Sequence, residues 1–486
     1  MIEAQPDLLA GVPRQLFIGG RWVDGAADDR IEVTDPSTES VVATVAGGAV
    51  DDGLAAVAAA QDALPGWART PSRERGEILR RAFELMTERS DELARVCVIE
   101  NGKTLADARA EVAYAAEFFR WYAEEAVRLH GSIQTAPGGT NKILTMRQPI
   151  GVAVLVTPWN FPLAMATRKI GPALAAGCTI VLKPASETPL SALAIAQILA
   201  EAGAPAGTVN VVCSKRSGAV VGAMVDDPRV RKLSFTGSTE VGRVLLARAA
   251  QTVVNCSMEL GGNAPFVVFN DADLDAAVTG AMIAKMRNGG EACTAANRFY
   301  VQAGVVDDFS EAFAARMKAL RIGSGLEPDV DLGPLVNAES RDKVASLVAG
   351  AVAVGAELRT GGGRPDRRGY FYEPTVLTGV PVDAPVLREE IFGPVAPIVS
   401  FRTEQEAVAA ANDTEFGLVS YVYTSDLARG LRVSEALDTG MVGLNRGVVS
   451  DPAAPFGGTK QSGLGREGGH EGMLEYTEEK YVATDW

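Results

Sequence analysis

From Gly151 onward the chain alternates short β-branched runs with Ala- and Leu-rich helical stretches, and no other feature constrains its fold as tightly. The runs at 152–156, 179–182, 209–212, 232–235 and 253–258 carry apolar residues on both faces. Strands of that kind must be covered on both faces, and helices between successive strands supply the cover while making the strands parallel. These residues predict a doubly wound α/β domain. A second series begins near Pro265, with strands expected at 265–269, 299–302, 394–401, 418–423 and 441–445. Helices are expected between them at 275–287, 305–320, 337–353 and 403–412. This predicts a second parallel-sheet domain.

Upstream, 51–64 and 72–100 read as helices, the latter placing Ile78, Leu79, Ala82, Phe83 and Met86 on one face. The stretch 131–150, with alternating Ile143, Thr145 and Arg147, predicts an exposed hairpin, and the tail at 472–486 has a similar strand-like end. An isolated hairpin is marginal in water, so these outliers are expected to form a small oligomerisation β-sheet completed by another subunit. With 486 residues, several domains are expected.

A formal net charge of -15 argues against a sequence-independent grip on nucleic acid. No apolar run reaches membrane-spanning length and Met1–Leu16 lacks a signal-like pattern, so no membrane association and a cytoplasmic location are expected. The five cysteines include no CxxC pair, which fits neither a disulfide framework nor a zinc ribbon. With only His130 and His470 available, no metal site and no Ser-His-Asp triad is expected. The chemistry must come from Cys, Glu, Lys or a cofactor.

Ligands of an open parallel sheet gather at the carboxyl ends of its strands. Four such ends are unusual here. They carry Thr157-Pro158-Trp159-Asn160-Phe161-Pro162, Lys183-Pro184-Ala185-Ser186, Thr236-Gly237-Ser238-Thr239-Glu240-Val241-Gly242 and Glu259-Leu260-Gly261-Gly262. Gly237 and Gly242 flank a turn into a helix, which is either only a turn or a seat for a pyrophosphate. Lys183 is either a solvated charge or a ribose ligand. Glu259 ends an apolar strand, where a carboxylate is a structural partner of a backbone amide or a base with a raised pKa. Cys293 follows Gly289-Gly290-Glu291-Ala292, and reads either as a small buried hydrophobe or as a partly exposed thiol poised as thiolate.

Six ordered motifs together resemble the aldehyde dehydrogenase superfamily over nearly the whole chain. They are Pro158-Trp159-Asn160-Phe161-Pro162, Phe235-Thr236-Gly237-Ser238, Glu259-Leu260-Gly261-Gly262, the Cys293 loop, Glu390-Ile391-Phe392-Gly393-Pro394 and Pro455-Phe456-Gly457-Gly458. The resemblance implies a cofactor-binding domain over 1–130 and 151–259, a catalytic domain over 260–445, oligomerisation strands at 131–150 and 472–486, and a substrate-pocket loop at 446–471 that returns to the cofactor domain. It further implies that Cys293 attacks an aldehyde, that Asn160 and the Cys293 N–H bind the oxyanion, and that Glu259 activates water against a thioester. Thr157, Pro158, Trp159, Lys183, Ser186, Gly237, Ser238, Leu260, Glu390 and Phe392 are the implied cofactor contacts.

Within the superfamily the chain most resembles bacterial succinate-semialdehyde dehydrogenases, on Thr167-Arg168-Lys169, Lys285-Met286-Arg287-Asn288 and Ser450. The resemblance implies that Arg168, Arg287 and Ser450 bind the distal carboxylate of a small-molecule aldehyde, succinate or glutarate semialdehyde among them. The structural alternative is that the arginines pair with acidic neighbours. Position 295 is Ala, so a second loop cysteine two residues after Cys293 is absent. Glu291 stands where Gln is more usual and Asp451-Pro452 follows Ser450; both are expected to bear on the chain length accepted. Ser186 stands where many NAD-preferring relatives carry Glu, which implies NADP as preferred cofactor with NAD also accommodated; otherwise Ser186 only caps the following helix. A homodimer or homotetramer is expected.

Overall fold

The computed structural model describes residues 6–27 and 29–485; residues 1–5 and 28 of the expected first domain and residue 486 of the expected tail lie outside the described residues. Two large sheets organise the molecule. The first has eight strands in the order Arg21–Val23, Leu16–Ile18, Val209–Val211, Thr179–Lys183, Val152–Val156, Val230–Thr236, Asn255–Glu259 and Gly463–Leu464. Its five central strands are parallel, and antiparallel strands from the chain's two ends close both edges. The sequence runs outward from Val152–Val156 in one direction and restarts on its other side at Val230–Thr236. This topological switch point opens a crevice between the loops that follow those two strands.

The second sheet has seven strands in the order Glu357–Thr360, Thr375–Thr378, Val395–Phe401, Ala296–Gln302, Ala264–Val268, Val419–Tyr423 and Met441–Leu444. All neighbours are parallel except the outermost pair, Glu357–Thr360 with Thr375–Thr378. Those two edge strands lie inside a stretch that the apolar pattern left blank. The chain crosses from the first sheet to the second between Glu259 and Ala264, and Gly463–Leu464 returns to the first.

The 131–150 segment forms strands Ser132–Thr135 and Lys142–Pro149, and the tail strand Thr477–Thr484 pairs antiparallel along the whole of the second, from Thr477 opposite Pro149 to Thr484 opposite Lys142. The two expected outliers thus complete each other within one chain. Ser132–Thr135 remains an exposed edge.

Two local expectations need correction, and one helix lies where none was expected. The helix expected at 72–100 is two helices, Ser72–Glu88 and Ser90–Asn101, because Arg89 leaves helical geometry while its N–H still bonds to the carbonyl of Leu85. The strand expected from 253 starts at Asn255, since Val253 is left-handed at φ 55°. Helix Leu105–Glu125 was not foreseen, although Thr104 caps it by accepting from the Asp107 N–H at 3.1 Å. That helix packs on Pro162–Ala176, the helix that follows the first switch-point loop.

Candidate active site

The crevice is a cleft of about 540 Å³. The first sheet meets it with strand carboxyl ends, as expected. The second sheet meets it with strand amino ends: Cys293 precedes Ala296–Gln302, and Glu390 and Phe392 precede Val395–Phe401. The rule that residues just after each strand carry the chemistry therefore holds for only half the site.

Of the residues singled out from sequence, Pro158, Trp159, Asn160, Arg168, Gly237, Ser238, Leu260, Arg287, Cys293, Glu390, Phe392 and Ser450 line the cleft. Thr157, Lys183, Ser186 and Glu259 lie behind or beyond this lining. Tyr114, Phe161, Glu187 and Phe456 line it as well without having been assigned a role in the site.

Backbone close approach explains the glycines around the nucleophile loop. A Cβ on Gly262 would sit 2.4 Å from the Cys293 carbonyl oxygen, and one on Gly290 would sit 2.3 Å from that of Gly393. Asn288, Gly289 and Gly290 are successively left-handed, at φ 53°, 63° and 81°, which turns the chain sharply into Cys293. On the other side Gly242 makes room for Leu260, whose Cδ2 would lie 2.5 Å from an added Cβ.

Asn160 is held by four hydrogen bonds. Its Nδ2 donates to the Glu291 carbonyl at 3.1 Å and its Oδ1 accepts from the Phe161 N–H at 3.1 Å. Its backbone oxygen accepts from Lys103 Nζ at 2.8 Å and Asn288 Nδ2 at 2.9 Å. Lys103 and Glu111 form a buried ion pair, and Glu111 also accepts from the N–H groups of Leu163 and Ala164 at 2.8 and 3.2 Å. Glu111 and the adjoining Lys103 escaped the sequence reading because helix Leu105–Glu125 did; a Thr-x-x-Asp cap followed by an apolar stripe is the signal that would have found it.

Cys293 is partly exposed to the cleft, as one of its two sequence readings had it. Burial pushes its thiol up to about 12, Glu259 and Glu390 push the same way, and Arg168 and Arg287 only partly oppose them. Glu259 is 3% exposed, and neither carboxyl oxygen has a hydrogen-bond partner. Burial, reinforced by the neighbouring charge of Glu467, raises its pKa well above the ordinary range. A carboxyl raised in this way suits a general base.

Arg168 has an acidic partner. It is 1% exposed, sits 2.5 Å from Glu467, and lies with its guanidinium 4.3 Å from the Phe456 ring centre. Lys169, beside it, pairs with the same carboxylate and donates to Ser234 at 2.9 Å. Arg287 differs: its hydrogen bond goes to the neutral Ser450 hydroxyl at 3.2 Å, and it rests 4.9 Å above the Phe161 ring. Glu291 and Asp451 both turn away from the cleft, contrary to expectation. The Glu291 carboxyl accepts from the Val336 N–H at 3.1 Å, and exposed Asp451 accepts from the Ala453 N–H at 2.9 Å.

The opposite end of the cleft suits a dinucleotide. Ser238 caps helix Thr239–Ala249, the Thr236 hydroxyl is buried without a partner, and Trp159 meets Phe392 edge-on at 5.3 Å. Glu390 accepts from the Gly262 N–H at 3.0 Å. Burial lowers the pKa of Lys183, at the end of its strand. Ser186 does not cap the helix Pro189–Glu201, because Glu100 accepts from Leu190 and Ser191 N–H at 2.7 and 2.9 Å instead. Among the described residues, no group of His, Cys, Asp and Glu is arranged to hold a metal ion, and no helix is long and apolar enough to cross a membrane.

The aldehyde dehydrogenase family model matches residues 22–482. The chain belongs to the aldehyde dehydrogenase family. It is similar to a succinate-semialdehyde dehydrogenase of Paenarthrobacter nicotinovorans, with 56% identity over 91% of this chain and 98% of that one. It is also similar to a glutarate-semialdehyde dehydrogenase of Pseudomonas aeruginosa, with 50% identity over 96% of this chain and 97% of that one. Among solved structures, an NADP-dependent enzyme of Escherichia coli superimposes with a TM-score of 0.97 at 48% identity, covering 99% of each chain. The two parallel-sheet units and the small three-stranded sheet are therefore those of an aldehyde dehydrogenase, and the chain is an enzyme.

Proposed function

We propose that this enzyme oxidises succinate semialdehyde to succinate, with NADP as preferred cofactor and NAD also accepted. The observation that carries the substrate reading is Arg287, a cation on the wall of the nucleophile's cleft whose hydrogen bond goes to the neutral Ser450 hydroxyl and not to a carboxylate. A carboxylate at the far end of a short aldehyde supplies the missing charge. The similar P. nicotinovorans and P. aeruginosa enzymes support an ω-oxo acid, and the latter favours glutarate semialdehyde as a second reading. The similarity to the E. coli NADP-dependent enzyme, together with neutral Ser186, supports the cofactor preference.

In this reading Cys293 attacks the aldehyde carbon, its S–H proton leaves to a base, and a thiohemiacetal forms. The second N–H of the Asn160 amide and the backbone N–H of Cys293 hold the oxyanion. Bound cofactor supplies the hydride acceptor; Lys183, Ser186, Gly237, Ser238, Leu260, Glu390 and Phe392 would hold it, with Thr157, Pro158 and Trp159 along its path. The product of that oxidation on the enzyme is a thioester at Cys293. Glu259, once ionised, takes a proton from water, and the resulting hydroxide releases the acid and regenerates the thiol.

The two sheets support the domain reading in which residues 1–130 and 151–259 bind cofactor, 260–445 carry the nucleophile, and 446–471 close the substrate side. The exposed edge at Ser132–Thr135, with Ile133 67% exposed, and the exposed Val244 and Val253 support a homodimer or homotetramer. The charge and hydropathy of the chain support work in the cytoplasm. The substrate reading is tested by kcat/KM for succinate semialdehyde, glutarate semialdehyde and neutral aldehydes of matched length. A neutral aldehyde used as well as the oxo acids would overturn it.

A further inference from the structure

Tyr114 sits on helix Leu105–Glu125 with its ring edge-on to Phe118 at 4.8 Å, and it lines the cleft together with Arg168, Arg287 and Ser450. Its hydroxyl is buried and has no hydrogen-bond partner. Arg287 lies 5.7 Å from the centre of its ring, and Arg168 approaches the hydroxyl without meeting hydrogen-bond geometry. Both neighbours are guanidiniums, which only donate, so neither satisfies the O–H of the phenol. What the site lacks is an acceptor. Burial keeps the phenol protonated, with Arg168 opposing only in part, so the donor is present at any working pH.

A buried donor left unmade is costly, and a group that supplies its partner gains what the empty site forfeits. A neutral alkyl chain cannot do this. A carboxylate has lone pairs enough for a guanidinium, a serine hydroxyl and a phenol together. We propose that Tyr114 is a specificity-determining residue whose hydroxyl donates to the distal carboxylate of the substrate, alongside Arg287 and Ser450. The inference rests on the ω-oxo acid reading above and deepens it.

Tyr114→Phe removes the hydroxyl and keeps the ring. Wild type and variant are compared by kcat and KM for succinate semialdehyde and for a neutral aldehyde of the same length, with thermal melts to compare their folds. The expected result is a fall of about 10- to 100-fold in kcat/KM for the oxo acid, chiefly through KM, and little change for the neutral aldehyde. An equal loss on both substrates, or no loss on either, overturns the role of Tyr114 while wild type still prefers the oxo acid. A wild type without that preference overturns the ω-oxo acid reading itself, and with it this inference.

Discussion

The ammonium of Lys103 donates to the backbone carbonyl of Asn160 at 2.8 Å while its ion-pair partner Glu111 accepts from the N–H groups of Leu163 and Ala164. One buried pair, Glu111 on helix Leu105–Glu125 and Lys103 just before it, thus fixes the residue proposed to bind the oxyanion and the first turn of the helix after it. Lys103→Met leaves Glu111 buried and unpaired, at a cost of about 3–5 kcal/mol in stability. Adding Glu111→Gln should recover much of the melting temperature. kcat should stay depressed in the double variant, because the Asn160 carbonyl keeps only its bond from Asn288 and loses the one from Lys103. A double variant with wild-type kcat would show that the pair serves stability alone.

Cys293→Ala should abolish oxidation, whereas Glu259→Gln should retain a burst of reduced cofactor and lose steady turnover. The pH profile separates the roles. Because burial and Glu467 raise the Glu259 pKa, its carboxylate fraction keeps growing with pH above the ordinary carboxylate range, and deacylation should grow with it. That rise should vanish in Glu259→Gln. Stopped-flow bursts across pH provide the measurement, and an unchanged profile in the variant would assign the base elsewhere.

Arg287 and Arg168 should respond differently to removal. Arg287→Ala should cost about 2–5 kcal/mol in kcat/KM toward oxo acids and little toward neutral aldehydes. Arg168→Ala strips Glu467 of a buried partner, so it should lower the melting temperature and reduce turnover of both substrate types. Equal patterns for the two variants would refute the distinction.

Ser186→Glu should shift the cofactor ratio toward NAD by about tenfold or more, through repulsion of the 2′-phosphate. Ratios of kcat/KM for the two cofactors decide it. NADP use unchanged by the new carboxylate would place Ser186 outside the phosphate's reach.

Glu291→Gln should stabilise the protein, and increasingly so with pH. Burial pushes the Glu291 carboxyl up to about 8, so the folded state keeps a proton that the unfolded chain releases above the ordinary carboxylate range. Below that range the two proteins should be equally stable. Between about pH 4.5 and 8 the gap should widen by about 1.4 kcal/mol per pH unit, then level off. Denaturant midpoints at several pH values measure it, and a constant gap would mean that Glu291 does not titrate this way.

The sequence by itself determined the two parallel sheets, because strands apolar on both faces admit no other packing, and it carried the six motifs that mark the family. It also singled out Cys293, Glu259 and Asn160, whose motifs depend on local backbone geometry such as the left-handed turn at 288–290. Tertiary structure alone decided what each charged group meets. Arg168 and Arg287 look alike in sequence, yet Glu467, far along the chain, reaches one and not the other. It likewise decided that the second sheet faces the cleft with strand amino ends, and that the tail Thr477–Thr484 closes on Lys142–Pro149. The state of the Cys293 thiol was left open between two readings for the same reason: it depends on burial and through-space charge, which come from residues distant in sequence, whereas spacing and periodicity report only what neighbours in the chain impose on one another.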